Sequence, residues 1–169
     1  MDSLYSYIIE ASKAESSLES ILFDNCGDET YSKMGMCPYT DKIKKVLGKG
    51  EEGVVCLLNN GKVLKIYFRE LPLKMQVLGQ LCKQGVKFNW LPAIYDFGDF
   101  WLVRDAYKMN TTKCKQYYKK CKEYLDDIKN PDAESIFAEL DELCGKRNAD
   151  IKPDSFGELK DGTVKVIDF

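Results

Sequence analysis

The sequence predicts an α+β protein. Three features carry that expectation: short β-like runs beginning at Ile43, an Asn59-Asn60-Gly61 turn between two of them, and helical periodicity on both sides of the β-rich stretch. At 169 residues, with 31% charged and 44% hydrophobic residues, the chain has the size and composition of one globular domain with an appendage.

The N-terminal element comes first. Across residues 3–23, Leu4, Tyr7, Ile8, Ala11, Leu18, Ile21 and Leu22 recur at helical spacing behind Ser3, a suitable N-cap. Residues 24–39 contain Gly27, Gly35 and Pro38 and lose the periodicity, as a connecting loop does. Residues 1–40 are therefore read as a helical appendage and loop, and a domain begins near Asp41. KIKKVLG, VVCLL and KVLKIYF then read as three strands, the last two joined by the Asn-Gly turn, whose residues accept positive φ. Pro72 opens a helix with an apolar stripe of Leu73, Val77, Leu78 and Leu81. PAIYDFG and FWLVRDAY flank a Gly98-Asp99 turn as two further strands.

Residues 110–147 read as helical, broken at Asn130-Pro131. Tyr117, Tyr118, Cys121, Tyr124, Leu125 and Ile128 line the first helix, and Ile136, Phe137, Leu140 and Leu143 the second, with Gly145 as its C′ residue. The tail, SFGELKDGTVKVIDF, is a hairpin turning at Asp161-Gly162.

Charge and residue inventory narrow the chemistry. A formal net charge of -2 provides no global field for nucleic acid or anionic membrane. No apolar run approaches the roughly 20 residues of a membrane-spanning helix. The seven cysteines form no CxxC pair and, with no secretory leader in view, read as reduced thiols packed as small core hydrophobes in a cytoplasm. Histidine is absent, which removes the usual general base and the Ser-His and Cys-His nucleophile arrangements. Catalysis would have to rest on carboxylates, lysines and bound metal. Lys113, Lys115, Lys119, Lys120 and Lys122 interleave with Tyr117 and Tyr118, a pattern that can grip nucleic acid, but helical spacing sends the tyrosines to a core and the lysines to water. Trp90 and Trp101 are read as packing residues.

Three motifs remain. Gly48-Lys49-Gly50-Glu51-Glu52-Gly53-Val54-Val55 fits G-x-G-x-x-G-x-V and lies between two strands, where a phosphate-covering hairpin belongs, not at the opening of a helix. Lys65 follows one strand later in Val63-Leu64-Lys65-Ile66-Tyr67, with alternation placing Val63 and Lys65 on one face and Leu64 and Ile66 on the other. A lysine among apolar residues on a central strand is costly to bury unless it meets an anion. The third motif is Asn148-Ala149-Asp150-Ile151-Lys152-Pro153-Asp154-Ser155, followed by the hairpin ending at Ile167-Asp168-Phe169.

In this order and spacing, the chain from about Ile43 to Phe169 resembles the protein-kinase superfamily. The resemblance implies a kinase-like α+β fold: a five-stranded antiparallel N-lobe sheet with one helix over residues 41–107, a hinge near Asp105 to Met109, and a minimal helical C-lobe over 108–169 that ends in the catalytic-loop hairpin. It also implies roles: phosphate cover by Gly48, Gly50 and Gly53, a nucleotide-lining Val55, phosphate pairing by Lys65, and adenine held by hinge backbone groups at Asp105 and Tyr107. Asp150 would orient the substrate or accept its proton, Lys152 would stabilise charge, and Asp168 with Ser155 would hold Mg²⁺.

The implied function is an ATP-dependent, Mg²⁺-using phosphotransferase of minimal size acting on Ser/Thr of a protein, in a cytoplasm of a cell or infected host. Truncated relatives of this sort are familiar in viruses and mobile elements. The alternative is an inactive mimic, a pseudokinase or decoy that binds a partner kinase or its substrate. Departures from the family pattern motivate that alternative. Lys74 stands where the helix glutamate that pairs with the lysine belongs, and Glu70 precedes the helix, so a carboxylate for Lys65 would have to come from the appendage or from Glu51 or Glu52. Ser155 replaces the metal-binding asparagine with a shorter reach, Asn148 and Ala149 replace His and Arg, and the sequence given stops at Phe169.

Overall fold

A computed structural model of the chain describes residues 18–26, 36–125 and 151–167. Its Cα framework divides into two compact units, Met1–Val86 with Ile94–Asp105, and Lys87–Ala93 with Ala106–Phe169. The division falls at Asp105/Ala106, and the segment Lys87–Ala93, which precedes the fourth strand, goes with the second unit.

The first unit is built on a five-stranded antiparallel sheet. Its strands are β1 (Ile43–Lys49), β2 (Gly53–Leu58), β3 (Val63–Tyr67), β4 (Ile94–Phe97) and β5 (Trp101–Arg104), in spatial order β1-β2-β3-β5-β4. β3 is therefore central. β1 is an edge, and its two register irregularities and its exposed Lys44, Lys45 and Lys49 discourage pairing with another strand. Strand alternation is followed closely: Val54, Cys56 and Leu58 of β2 and Leu64 and Ile66 of β3 form one apolar cluster with Ile43, Phe68, Phe100 and Val103. Residues 18–25 are helical (α1), and Leu18, Leu22 and Cys37 belong to that same cluster. The segment before Asp41 thus supplies part of the sheet's core, where an appendage was expected; residues 3–17 lie outside the described residues.

The Asn59-Asn60-Gly61 hairpin forms, but not as a two-residue turn with both residues at positive φ. Gly61 N–H donates to the Leu58 carbonyl (3.0 Å), Leu58 N–H to the Lys62 carbonyl (2.8 Å), and within the turn Gly61 has φ +81°. This is a type I turn closed by a left-handed glycine, the usual three-residue loop. Asn60 Oδ1 accepts the Lys62 N–H at 3.0 Å.

Helix α2 (Leu73–Lys83) starts one residue later than its proline: Pro72 is the N-cap, its carbonyl accepting from Met75 and Gln76. The expected stripe is displaced. Met75, Leu78 and Gly79 are the buried residues, whereas Leu73 and Val77 are 74% and 47% exposed.

The second unit holds β6 (Tyr107–Lys108), α3 (Thr112–Leu125), β7 (Phe156–Leu159) and β8 (Val164–Val166), with an antiparallel sheet in the order β6-β7-β8. The expected strand running through Tyr107 is broken after Arg104, and Tyr107 pairs instead with Leu159. A Cβ on Gly157 would lie 2.8 Å from Tyr107, so β6 and β7 approach this closely only over glycine. The Asp161-Gly162 hairpin repeats the first one: Gly162 N–H to the Leu159 carbonyl (2.9 Å), Gly162 at φ +83°, and Asp161 Oδ1 accepting the Thr163 N–H at 2.9 Å. Thr111 Oγ1 accepts the Cys114 N–H at 3.2 Å and caps α3. Cys114, Cys121, Phe156 and Val166 are buried, and Lys115, Lys119 and Lys122 face water. Lys113 ties the helix to the hairpin through the Gly162 carbonyl (3.1 Å), and the Trp90 carbonyl accepts the Val166 N–H at 2.7 Å. The helix expected over 131–147 lies outside the described residues. Among the described residues no helix is long and apolar enough to cross a membrane.

Candidate functional site

In the first unit, β1 leads into the glycine segment and β2 leads out. Gly48 pairs with Val55 and Lys49 with Val54, and Gly50 N–H donates to the Gly53 carbonyl at 2.9 Å to close the tip. The Glu52 carbonyl accepts the Phe68 N–H at 2.8 Å, which pins the loop to the end of β3. The three glycines serve different ends. A Cβ at Gly53 would collide with the Ile66 carbonyl and lie 2.9 Å from Tyr67 Cα, so this glycine permits the crossing of two backbones. At Gly48 and Gly50 a Cβ would meet nothing within 4 Å, and neither residue has positive φ. Neither the space for a Cβ nor the backbone φ requires glycine at those two positions.

Lys65 sits directly opposite Val55 on β2 and Leu102 on β5, so these three residues share the face turned away from the apolar cluster. Its side chain is only 14% exposed. The ammonium lies 3.2 Å from Glu52 Oε2 and 4.6 Å from the centroid of the Tyr67 ring, whose π-face favours a cation. The carboxylate for Lys65 thus comes from the glycine loop. Lys74, at the position where the helix glutamate was sought, is exposed. The Tyr67 contact was not anticipated, although the i, i+2 spacing on a strand is its signal.

The other expected site residues divide between the two units or lie outside the described residues. Asp105 ends the first unit, and its Oδ1 accepts the Tyr95 hydroxyl at 2.6 Å, which raises the phenol's pKa, mainly through that hydrogen bond. Tyr107 is half-buried in β6 of the second unit. Lys152 is exposed, while Ser155 is 1% exposed. Ser155 closes a tight turn: its Oγ accepts the Lys152 N–H at 2.8 Å, its N–H donates to the Lys152 carbonyl at 3.0 Å, and its carbonyl accepts from Ile167 at 2.8 Å. Serine fits here because a short hydroxyl can fold back on the backbone three residues earlier. That bond occupies one acceptor site of the only implied Mg²⁺ ligand within the described residues, and Ser155 alone makes no metal site. Asp150 and Asp168 lie outside the described residues. Among the described residues no group of three His, Cys, Asp or Glu could hold a metal ion.

Buried thiols in each unit are poor nucleophiles. Burial pushes Cys56 and Cys121 up to about 12, and Cys37 upward as well, keeping these thiols protonated in neutral water. Chemically, the first unit therefore presents a lysine with a largely buried side chain beside a glycine turn whose first two glycines leave open space. That combination suits a multiply charged anion. No protein-family model and no curated protein matches the chain.

Proposed function

We propose that the chain binds ATP through its glycine turn and Lys65 and acts as a protein-kinase-like phosphotransferase of minimal size on Ser/Thr of a protein. The observation that carries this reading is Lys65: a lysine whose side chain is only 14% exposed on the central strand, aligned with Val55 and directly beyond a turn with two glycines that nothing in the packing requires. Phosphate oxygens would approach the backbone at Gly48 and Gly50, Lys65 would pair with them, and Val55 would give the base an apolar contact. Lys152 and the aspartates Asp150 and Asp168 enter the proposal by their sequence spacing, as charge stabiliser, substrate-orienting group and Mg²⁺ ligand. Bound Mg²⁺ would neutralise phosphate charge.

A second reading, an inactive kinase mimic (a pseudokinase or decoy) that binds a partner kinase or its substrate, is favoured by two observations. The helix position sought for a glutamate carries the exposed Lys74, and one acceptor site of the Ser155 hydroxyl is taken by the Lys152 N–H of its own turn.

Titration calorimetry with ATP and Mg²⁺, beside Lys65→Ala and Asp168→Ala, tests the proposal. Binding that weakens at least about tenfold in Lys65→Ala supports the site, since a charge-assisted hydrogen bond is worth about 1.5–3 kcal/mol. Label transfer from γ-labelled ATP to a protein acceptor, lost in Asp168→Ala, then separates phosphotransferase from mimic. Wild-type protein that binds no nucleotide overturns the first reading and leaves a mimic that acts through a protein partner.

A further inference from the structure

Lys65 is held by a carboxylate of unusual placement. Glu52 is fixed at its backbone, where its carbonyl accepts the Phe68 N–H, yet its side chain is 58% exposed while the lysine it meets is 14% exposed. An orienting carboxylate would be expected to be packed, with its other oxygen bonded. An ion pair with one partner largely in water is worth only about 0–1 kcal/mol. The glutamate can therefore leave Lys65 by rotating its side chain into solvent, with the loop backbone unmoved. A polyphosphate arriving at the same ammonium would bring several negative charges against that carboxylate. Each added phosphate charge repels the carboxylate and attracts the ammonium, so a ligand with several charges outcompetes the single carboxylate for Lys65.

We infer that Glu52 is a displaceable counter-ion seated where an anionic ligand binds, so that ligand entry requires its departure from Lys65 and its charge sets which anions are admitted. The site then resists weakly charged anions, which cannot displace the carboxylate, and takes polyphosphates. This inference rests on the reading of Lys65 as an anion-binding lysine and adds to it the residue that regulates access. Glu51, the preceding residue, is exposed and carries the same charge on the same loop, which makes it the natural control.

The test measures binding of inorganic pyrophosphate and of ATP, each without divalent metal, to the wild-type protein, Glu52→Gln and Glu51→Gln. Glutamine keeps the side chain's size on an exposed loop, so folding is preserved. Glu52→Gln is expected to bind both anions about tenfold more tightly than wild type, with Glu51→Gln changing less than about threefold. Equal or weaker binding by Glu52→Gln overturns the inference and makes Glu52 a positioning group. Equal gains in both variants overturn it too, because loop charge in general would then be responsible. If pyrophosphate shows the selective gain and ATP binds to no variant, the counter-ion role stands and the nucleotide reading falls. If neither anion binds any variant, both fall.

Discussion

A Cβ added at Gly53 would press into the Ile66 carbonyl and lie 2.9 Å from Tyr67 Cα, whereas at Gly48 and Gly50 it would meet nothing within 4 Å. The two kinds of glycine should separate under mutation. Gly53→Ala is expected to cost about 1–3 kcal/mol of stability, because backbone cannot yield as a side chain can. Gly48→Ala and Gly50→Ala should change stability by less than about 1 kcal/mol, and in the stabilising direction, since alanine restricts the unfolded chain. The same two substitutions should weaken ATP binding, as the new methyl takes space that the proposal assigns to phosphate. Urea unfolding and calorimetry on the three variants check both halves, and unchanged ATP affinity in Gly48→Ala and Gly50→Ala would count against the phosphate role. The G-x-G-x-x-G spacing was legible in the sequence. The division of labour among its glycines was not, because it depends on which strand passes behind each one.

At the scale of the element, α2 shows how a correct helix can carry a wrong face. Leu73, Val77, Leu78 and Leu81 are the residues a hydrophobicity count selects. At about 100° per residue, Leu73 and Val77 lie nearly opposite the side formed by Met75, Leu78 and Gly79. The buried side is chosen by Gly79, where a Cβ would run into the Phe97 ring of β4. The absence of that Cβ lets the helix lie close against the strand. Gln76 Nε2 reinforces the orientation by donating to the Leu71 carbonyl at 2.7 Å. Leu78→Ala should cost about 2–5 kcal/mol, while Leu73→Ala should stay within about 0.5 kcal/mol. Thermal or urea unfolding of the pair distinguishes the faces, and comparable losses would contradict the observed packing. Both hairpins tell a related story. Their Gly positions mark the turns, and the hydrogen bonds show that each is a three-residue loop with the glycine alone left-handed.

Across the first unit as a whole, Asp96 joins three parts of the chain. Tyr39 donates to its Oδ2 at 2.9 Å, Lys83 of α2 meets its Oδ1 at 3.0 Å, and the Phe97 N–H reaches the same oxygen at 2.9 Å. Burial alone would raise the Asp96 pKa, but the bonds from Lys83, Tyr39 and Phe97 and the Lys83 charge outweigh it and hold the carboxyl below its usual range. A depressed folded-state pKa contributes stability that is present above the unfolded value, near 3.9, and is lost as pH falls through the folded value. The unfolding midpoint should therefore drop as pH falls from about 5 toward 3. Asp96→Asn should remove part of that dependence and begin from a lower stability near neutral pH. A variant that tracks wild type through the acid range would show that the Tyr39–Asp96–Lys83 network is not what ties these segments together.

Strand alternation, the two Gly-marked turns, the helices of α2 and α3, and the order of the motifs were determined by local pattern, because backbone periodicity and turn preference act over a few residues. Alternation on β3 alone was enough to put Leu64 and Ile66 in the core and Lys65 on the other face. Tertiary structure decided what those residues meet. It brought Leu18, Leu22 and Cys37 into the sheet's core, turned α2 by its glycine, moved Tyr107 into a second sheet, and placed Glu52 on Lys65. Each of these joins residues distant in sequence or settles a choice between faces that hydrophobicity leaves equivalent. Such choices depend on which surfaces fit together, and shape complementarity belongs to the folded chain rather than to any window of its sequence.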